Sequence, residues 1–162
     1  MTRPSSTKPQ LSSKYTFFTD ADLGEKIPHA LEEIGLSVER HSRHFEGPTK
    51  DPIWLAEVGR RGWVALTHDK GQRRRPDEIH AIMTSGLADF ILIGKNHDAV
   101  AANLVKTIGK IIAFRDRHEP RFIAKVYQPD AAAREYAEKS GGVAKGRVEM
   151  SLSHLEWLSK RN

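Results

Sequence analysis

The chain has 162 residues, of which 38% are hydrophobic and 29% charged; this composition favours one globular domain with a sizeable core over general disorder. No apolar run approaches the roughly 20 residues of a membrane-spanning helix. Cysteine is absent, which excludes disulfides, thiol nucleophiles and thiolate metal sites, and a cytoplasmic protein is the default expectation. The formal net charge of +5 is compatible with binding to nucleic-acid phosphates.

The first fourteen residues are rich in Ser, Pro, Thr and Lys and contain no apolar stretch of the kind found in secretory signals. We therefore predict a flexible tail over residues 1–14.

From Tyr15 onward, short apolar segments alternate with segments of helical periodicity. The predicted strands are Tyr15–Thr19, Leu36–His41, Trp63–Thr67, Asp89–Ile93 and Phe122–Tyr127. The predicted helices cover Glu25–Ile34, a segment that begins at Asp51-Pro52, Pro76–Thr84 and His97–Arg117. This alternation predicts an α/β fold in three layers, with a central, mostly parallel sheet of four to five strands flanked by helices.

The remaining segment, residues 128–162, is expected to be a helical extension. Two helices are predicted in it, Ala131–Lys139 and Ser151–Lys160, and the second has leucines at helical spacing. This extension either packs against its own domain or forms an arm for a partner.

Three aspartates from distant segments are predicted to share one edge of the sheet. Asp20 follows the first strand, Asp69 follows the third, and Asp51 opens the helix that leads into the third strand. That helix must run antiparallel to the strands, so all three positions lie at their carboxyl ends. Carboxylates gathered there would repel each other unless a cation neutralised them, and hard oxygen ligands suit Mg²⁺ or Mn²⁺. Asp51 also has a simpler interpretation as a helix N-cap.

The basic residues cluster at 40–44, 70–75 and 115–121. In the second cluster Lys70, Arg73, Arg74 and Arg75 are either a solvated loop or, beside an acidic pocket, a contact for a phosphate backbone. The eight histidines have no zinc-site spacing, and His68 is expected to be an exposed loop residue.

Three segments together resemble the PIN-like nuclease family, and most closely its short VapC-type toxins. They are Phe17–Asp20, Asp51–Ala56 and Gly62–Lys70, and the resemblance extends over about residues 15–127. It implies that Asp20, Asp51 and Asp69 are the catalytic carboxylates. They would hold one or two Mg²⁺ or Mn²⁺ ions, with Asp22 as a secondary ligand.

The resemblance also implies a function. A metal-dependent endoribonuclease would hydrolyse RNA phosphodiesters with a metal-activated water, and the basic residues of the 70–75 loop would position the RNA. The VapC-type proteins are toxins of toxin–antitoxin modules, and each is silenced by a cognate antitoxin. The resemblance therefore implies an antitoxin as the protein partner of this chain, and a second copy of the chain is a further candidate partner. PIN nucleases usually carry a further acidic residue on a helix between the first two aspartates. Here Glu46, in a loop, is the residue that could substitute for it.

Two other interpretations stay open. A PIN-like domain with an incomplete metal site would bind nucleic acid or a protein partner without efficient catalysis. The Asp20-Ala21-Asp22 stretch also resembles the D-x-D motif of haloacid-dehalogenase-like phosphatases, although Gly24 stands where that motif needs Thr or Val.

Overall fold

The computed structural model describes residues 14–69 and 74–161, without the side chain of Asp69. The predicted tail and the positions of Lys70 and Arg73 lie outside these residues, apart from position 14. Among the described residues, no helix combines the length and the apolar character needed to cross a membrane.

Six strands form one sheet, and seven α-helices and a short 3₁₀ turn at Ala21–Leu23 are described around it. The strands are β1 (Thr16–Thr19), β2 (Ser37–Arg40), β3 (Val64–Asp69), β4 (Ala88–Ile93), β5 (Phe122–Tyr127) and β6 (Arg147–Ser153). The helices are α1 (Lys26–Glu33), α2 (His41–His44), α3 (Asp51–Arg60), α4 (Pro76–Ser85), α5 (His97–Arg117), α6 (Ala131–Ser140) and α7 (His154–Lys160).

The strand order is β2-β1-β3-β4-β5-β6, and all neighbours are parallel except β5 and β6. The α/β class and the mostly parallel sheet predicted from the sequence are therefore confirmed. Helices cover both faces, because parallel neighbours need crossover connections. One core layer lies between the sheet and helices α1 and α5, and the other between the sheet and helices α3 and α4.

The C-terminal segment differs from the expected all-helical extension. Residues 147–153 form β6, which pairs antiparallel with β5 along the edge of the sheet. Helix α7 is correspondingly shorter than predicted and begins at His154, with the Ser153 side chain as its cap. The sequence from Arg147 to Ser153 alternates polar and apolar residues with period two, which is typical of a strand. The helical spacing of the leucines that begins at Leu152 led instead to the prediction of a helix from Ser151.

The ends of several helices are set by local residues, namely a proline, a glycine and a capping side chain. Pro52 lies in the first turn of α3, where a residue without an N–H loses no hydrogen bond within the helix. Gly86 ends α4 in the left-handed conformation. Helix α5 begins at the Asn96 cap, whose side chain accepts a hydrogen bond from the Ala99 amide at 2.9 Å.

The chain reverses its direction of progress across the sheet between β1 and β3. From β1 the chain crosses to β2 on one side, and β3 then lies on the other side of β1. The two connecting helices, α1 and α3, lie on opposite faces of the sheet. In open α/β sheets such a reversal opens a crevice beyond the carboxyl ends of the two strands, and ligands bind there.

Candidate active site

Asp20 lies at the mouth of this crevice. It is the first residue after β1, and its backbone N–H donates to the carbonyl of Leu66 in β3 at 3.1 Å. Its side chain accepts a hydrogen bond from the Ala21 amide at 2.6 Å and so caps the short 3₁₀ turn that carries Asp22. The backbone therefore fixes Asp20 between the two strands where the chain reverses.

Asp51 lies at the same edge of the sheet but belongs to a different segment, the start of α3. It is the first residue of α3, and its Oδ1 accepts a hydrogen bond at 2.9 Å from the indole N–H of Trp54, which is fully buried. The N-cap of α3 is Lys50, so Asp51 does not have the simple capping role considered from the sequence. An indole donor held in the core fixes the orientation of this exposed carboxylate.

The charges of these carboxylates act on one another. Burial, which is the largest cause, and the charges of Asp22 and Asp51 together raise the pKa of Asp20 from 3.8 to about 7, against the lowering effects of the Ala21 amide and Arg74. The structure thus brings Asp20, Asp22 and Asp51 within electrostatic reach of each other. A carboxylate that is costly to ionise in the free protein is a common feature of functional sites.

The backbone of Asp69 ends at this edge as well. It is the last residue of β3 and pairs with Ile93 in β4, three residues beyond the carbonyl that receives the Asp20 amide.

The oxygen-only donor set fits a hard divalent cation such as Mg²⁺ or Mn²⁺. A positive charge placed between Asp20 and Asp51 would relieve the repulsion that raises the pKa of Asp20. Among the described side chains, no group of three or more His, Asp or Glu residues is arranged to hold a metal ion. A complete ligand set would therefore have to include Asp69.

Arg74 has a different position from the solvent-facing phosphate contact considered from the sequence. Its guanidinium makes a two-pronged ion pair with Asp89, which is fully buried, at 3.0 and 3.1 Å, and donates to Thr67 Oγ1 at 3.2 Å. Burial disfavours the cation, but the charge and hydrogen bonds of Asp89 outweigh it, so the pKa of Arg74 is raised and the residue stays charged. Arg74 thus anchors the residues that precede α4 to the sheet, and its guanidinium lies 6.0 Å from the Trp54 ring.

Arg75, the next residue, is exposed and its side chain has no ion pair within the described part of the chain. Its backbone N–H donates to the Glu78 carboxylate at 3.1 Å, which fixes the start of α4. Arg75 therefore remains available to a ligand, unlike Arg74.

His68 is buried in β3, so the expectation of an exposed loop residue is wrong. One ring nitrogen, Nε2, hydrogen-bonds the carbonyl of Gly94, and the ring lies edge-on to His97 with centroids 6.1 Å apart. The strand extends two residues further than the apolar run suggested, because β4 continues to pair with it as far as Ile93.

Sequence reasoning missed three residues that support or border the site. Asp89 was recognised only as the start of a strand, although a carboxylate in an otherwise apolar central strand signals a buried ion pair. Trp54 was assigned only to the core, although a buried indole N–H needs an acceptor. His41 is buried close to Asp51 and Asp22; burial lowers its pKa, against the opposing effect of these two charges.

Comparison with known proteins agrees with this arrangement. Residues 15–94 match a family model described as a PIN like domain, and this span includes Asp20, Asp51 and Asp69. No curated protein and no solved structure gives a significant match to the chain. The matched residues run from the start of β1 to the end of β4, and PIN-like domains are generally nucleases. Residues 15–94 are therefore similar to a PIN-like domain, and the mostly parallel sheet flanked by helices is consistent with that fold.

Proposed function

We propose that the protein is a metal-dependent endoribonuclease whose catalytic carboxylates are Asp20, Asp51 and Asp69. They would hold Mg²⁺ or Mn²⁺, with Asp22 as an additional ligand. The observation that carries the proposal is the pKa of about 7 at Asp20, raised by burial and by two neighbouring carboxylates in the crevice of a PIN-like domain.

Different residues of the chain would bind the metal, orient a ligand and contact the RNA. Asp20 and Asp51 supply negative oxygens from two different segments, and the Trp54 indole keeps one of them in place. A divalent metal bound there would act as a Lewis acid on a phosphodiester and activate a water molecule. Arg75, with Lys70 and Arg73, would contact RNA phosphates, while Arg74 positions the loop through Asp89.

The test is RNA cleavage by the full chain with Mn²⁺ and with EDTA. We expect cleavage by the wild type only with the metal, and a loss of at least about 100-fold in Asp20→Asn and in Asp51→Asn, because each removes an oxygen charge from the metal site. Asp98→Asn is a matched control, since Asp98 is an exposed aspartate at the start of α5. Equal cleavage by the variants and the wild type would contradict the proposal.

A PIN-like domain that binds RNA or a protein partner without efficient catalysis is the second candidate. It is favoured by the position of Glu46, which lies in a loop, whereas PIN nucleases usually carry an acidic residue on a helix between the first two aspartates. Binding of RNA without Mn²⁺-dependent cleavage would support it. A haloacid-dehalogenase-like phosphatase would instead hydrolyse a small phosphomonoester through a phosphorylated Asp20, and the family match makes this the weakest of the three.

We further propose that the nuclease is the toxin of a toxin–antitoxin module in the cytoplasm and acts as a monomer or homodimer. A cognate antitoxin would insert a basic side chain between Asp20 and Asp51, where its charge would reduce the repulsion between the carboxylates. Expression of the chain alone should arrest growth, and co-expression with the product of the adjacent gene should restore it. Growth arrest by Asp20→Asn as well would show that toxicity does not depend on the site.

A further inference from the structure

The basic cluster at residues 40–44 supplies no ligand to the proposed metal site, yet the fold places it beside that site. Strand β2 runs parallel to β1, so the residues that follow β2 lie at the same edge of the sheet as Asp20. A cavity of about 590 Å³ opens there, lined by residues 41–47 and by Ala21, which stands between Asp20 and Asp22. Its volume lies within the range of about 300–1,000 Å³ that is typical of ligand pockets.

Arg43 is the available cation of this cavity. It is exposed, and no hydrogen bond or ion pair joins its side chain to any described residue. The neighbouring arginines already form ion pairs: Arg40 with Glu25 and Glu32, and Arg61 with Glu57. An unpaired arginine at the rim of a cavity is suited to a phosphate group.

Two rings beside Arg43 form a rigid wall. His44 Nε2 hydrogen-bonds Glu39 at 2.7 Å, and Arg61 lies 3.2 Å from its Nδ1, so both ring nitrogens are engaged. Phe45 is half-buried and packs edge-on against Phe18, with ring centroids 6.0 Å apart. Aromatic rings held in place in this way offer a stacking surface for an unpaired base at little entropic cost.

We propose that this cavity binds one nucleotide of single-stranded RNA next to the cleaved phosphate, with Arg43 on a phosphate and Phe45 stacked on a base. The choice of RNA rests on the proposed function, whereas the position and chemistry of the subsite rest on the cavity itself. Glu46, the carboxylate in the lining, faces the same space and is exposed. Its charge would keep phosphate on the Arg43 side, so the nucleotide has one preferred direction.

The test is binding of a fluorescent single-stranded RNA to the full chain, measured by anisotropy over a range of salt concentrations in Asp20→Asn to prevent cleavage. Adding Arg43→Ala should weaken binding and reduce the slope of log K against log salt by about 0.7, the value for one phosphate contact on a single strand. Adding Arg117→Ala, which removes the same charge from an exposed position at the far end of α5, should leave the slope unchanged. Equal slopes for the two variants would overturn the subsite.

Phe45→Leu separates stacking from charge, because leucine keeps the apolar contact with Phe18 and removes the aromatic face. We expect affinity to fall about 5- to 150-fold with no change in the salt slope. Unfolding temperature and near-ultraviolet circular dichroism would show that the variant is folded. A folded Phe45→Leu protein with wild-type affinity would contradict the stacking role.

The outcomes also separate this inference from the proposed nuclease. If the wild type does not cleave RNA but Arg43→Ala still weakens binding relative to Arg117→Ala, the subsite stands and the nuclease proposal fails. If cleavage requires Asp20 and Asp51 but neither Arg43→Ala nor Phe45→Leu alters RNA binding, the nuclease stands and the subsite is wrong.

Discussion

At the scale of single residues, Asp20 has an unfavourable position for a charge. Its backbone is fixed between β1 and β3 by the bond to Leu66, and burial and the charges of Asp22 and Asp51 raise the pKa of its carboxyl. The charge of Arg74, which is itself paired with Asp89, offsets part of this repulsion. A cation of any origin that enters the crevice is bound partly by the relief of this repulsion.

This position predicts a pH-dependent stability. The folded-state pKa of Asp20 is raised to about 7 from an unfolded value of about 4, so the folded protein binds this proton more tightly than the unfolded chain. Stability from this group is present at low pH and is lost as pH rises from about 4 to about 7. Asp20→Asn removes the group, so its unfolding temperature should rise relative to the wild type over that window and run parallel to it above the window.

Thermal unfolding in EDTA, followed by circular dichroism between pH 4 and pH 8, measures this difference. Adding Mn²⁺ near neutral pH should reverse its sign, because the metal stabilises the wild type and binds the variant less well. A difference that does not vary with pH would show that burial does not act on Asp20 as the structure indicates.

At the scale of elements, the position of Asp51 depends on how α3 packs against α4. The two helices approach each other closely at Gly59, where a Cβ atom would lie 1.9 Å from Ser85 Oγ and 2.6 Å from Ser85 Cβ. The glycine is thus required by the neighbouring helix and not by its own backbone conformation. Trp54 and Leu55 on the same helix are fully buried, so any shift of α3 also disturbs the core behind the carboxylates.

Gly59→Ala is expected to lower the free energy of unfolding by about 1–3 kcal/mol, the usual cost of overpacking. Gly109→Ala is the matched control in α5: nothing lies within 4 Å of its Cβ position, and alanine should stabilise the helix by up to about 1 kcal/mol. Chemical denaturation measures both. The double variant with Ser85→Gly should recover most of the loss, and failure to recover would place the cost outside this contact.

At the scale of the whole molecule, residues 147–153 of the C-terminal segment form the last strand of the sheet. Strand β6 covers the edge of β5, and the Gly146 amide donates to Thr107 Oγ1 in α5 at 3.0 Å. Lys110 in the same helix donates to the Gly146 carbonyl at 2.8 Å. The family match ends at position 94, so β5 and β6 extend the sheet beyond the matched part.

Gly146→Ala tests whether this segment unfolds together with the rest. A Cβ atom at Gly146 would lie 2.0 Å from the Tyr127 carbonyl oxygen, so the anchor should break, whereas Gly142→Ala meets only Ser140 Oγ at 3.4 Å. If the chain is one cooperative unit, Gly146→Ala should lower the unfolding temperature of the whole protein. Hydrogen exchange that accelerates in β6 alone, with unchanged protection in β3, would instead show that residues 128–162 form a separable extension.

The sequence by itself determined most of the strands and helices as far as Tyr127, because apolar periodicity, the Asp51-Pro52 start and glycine stops are local signals that tertiary contacts did not override. It did not predict helix α2, which begins at His41, where a strand was expected to end. It also placed Asp20, Asp51 and Asp69 at one edge, since that follows from strand direction alone. Only the tertiary structure decided the role of Arg74, which depends on Asp89 fifteen residues away, and the pairing of β6. Whether a charged or alternating segment faces solvent or a partner is set by what the rest of the chain presents to it, and that information is not local.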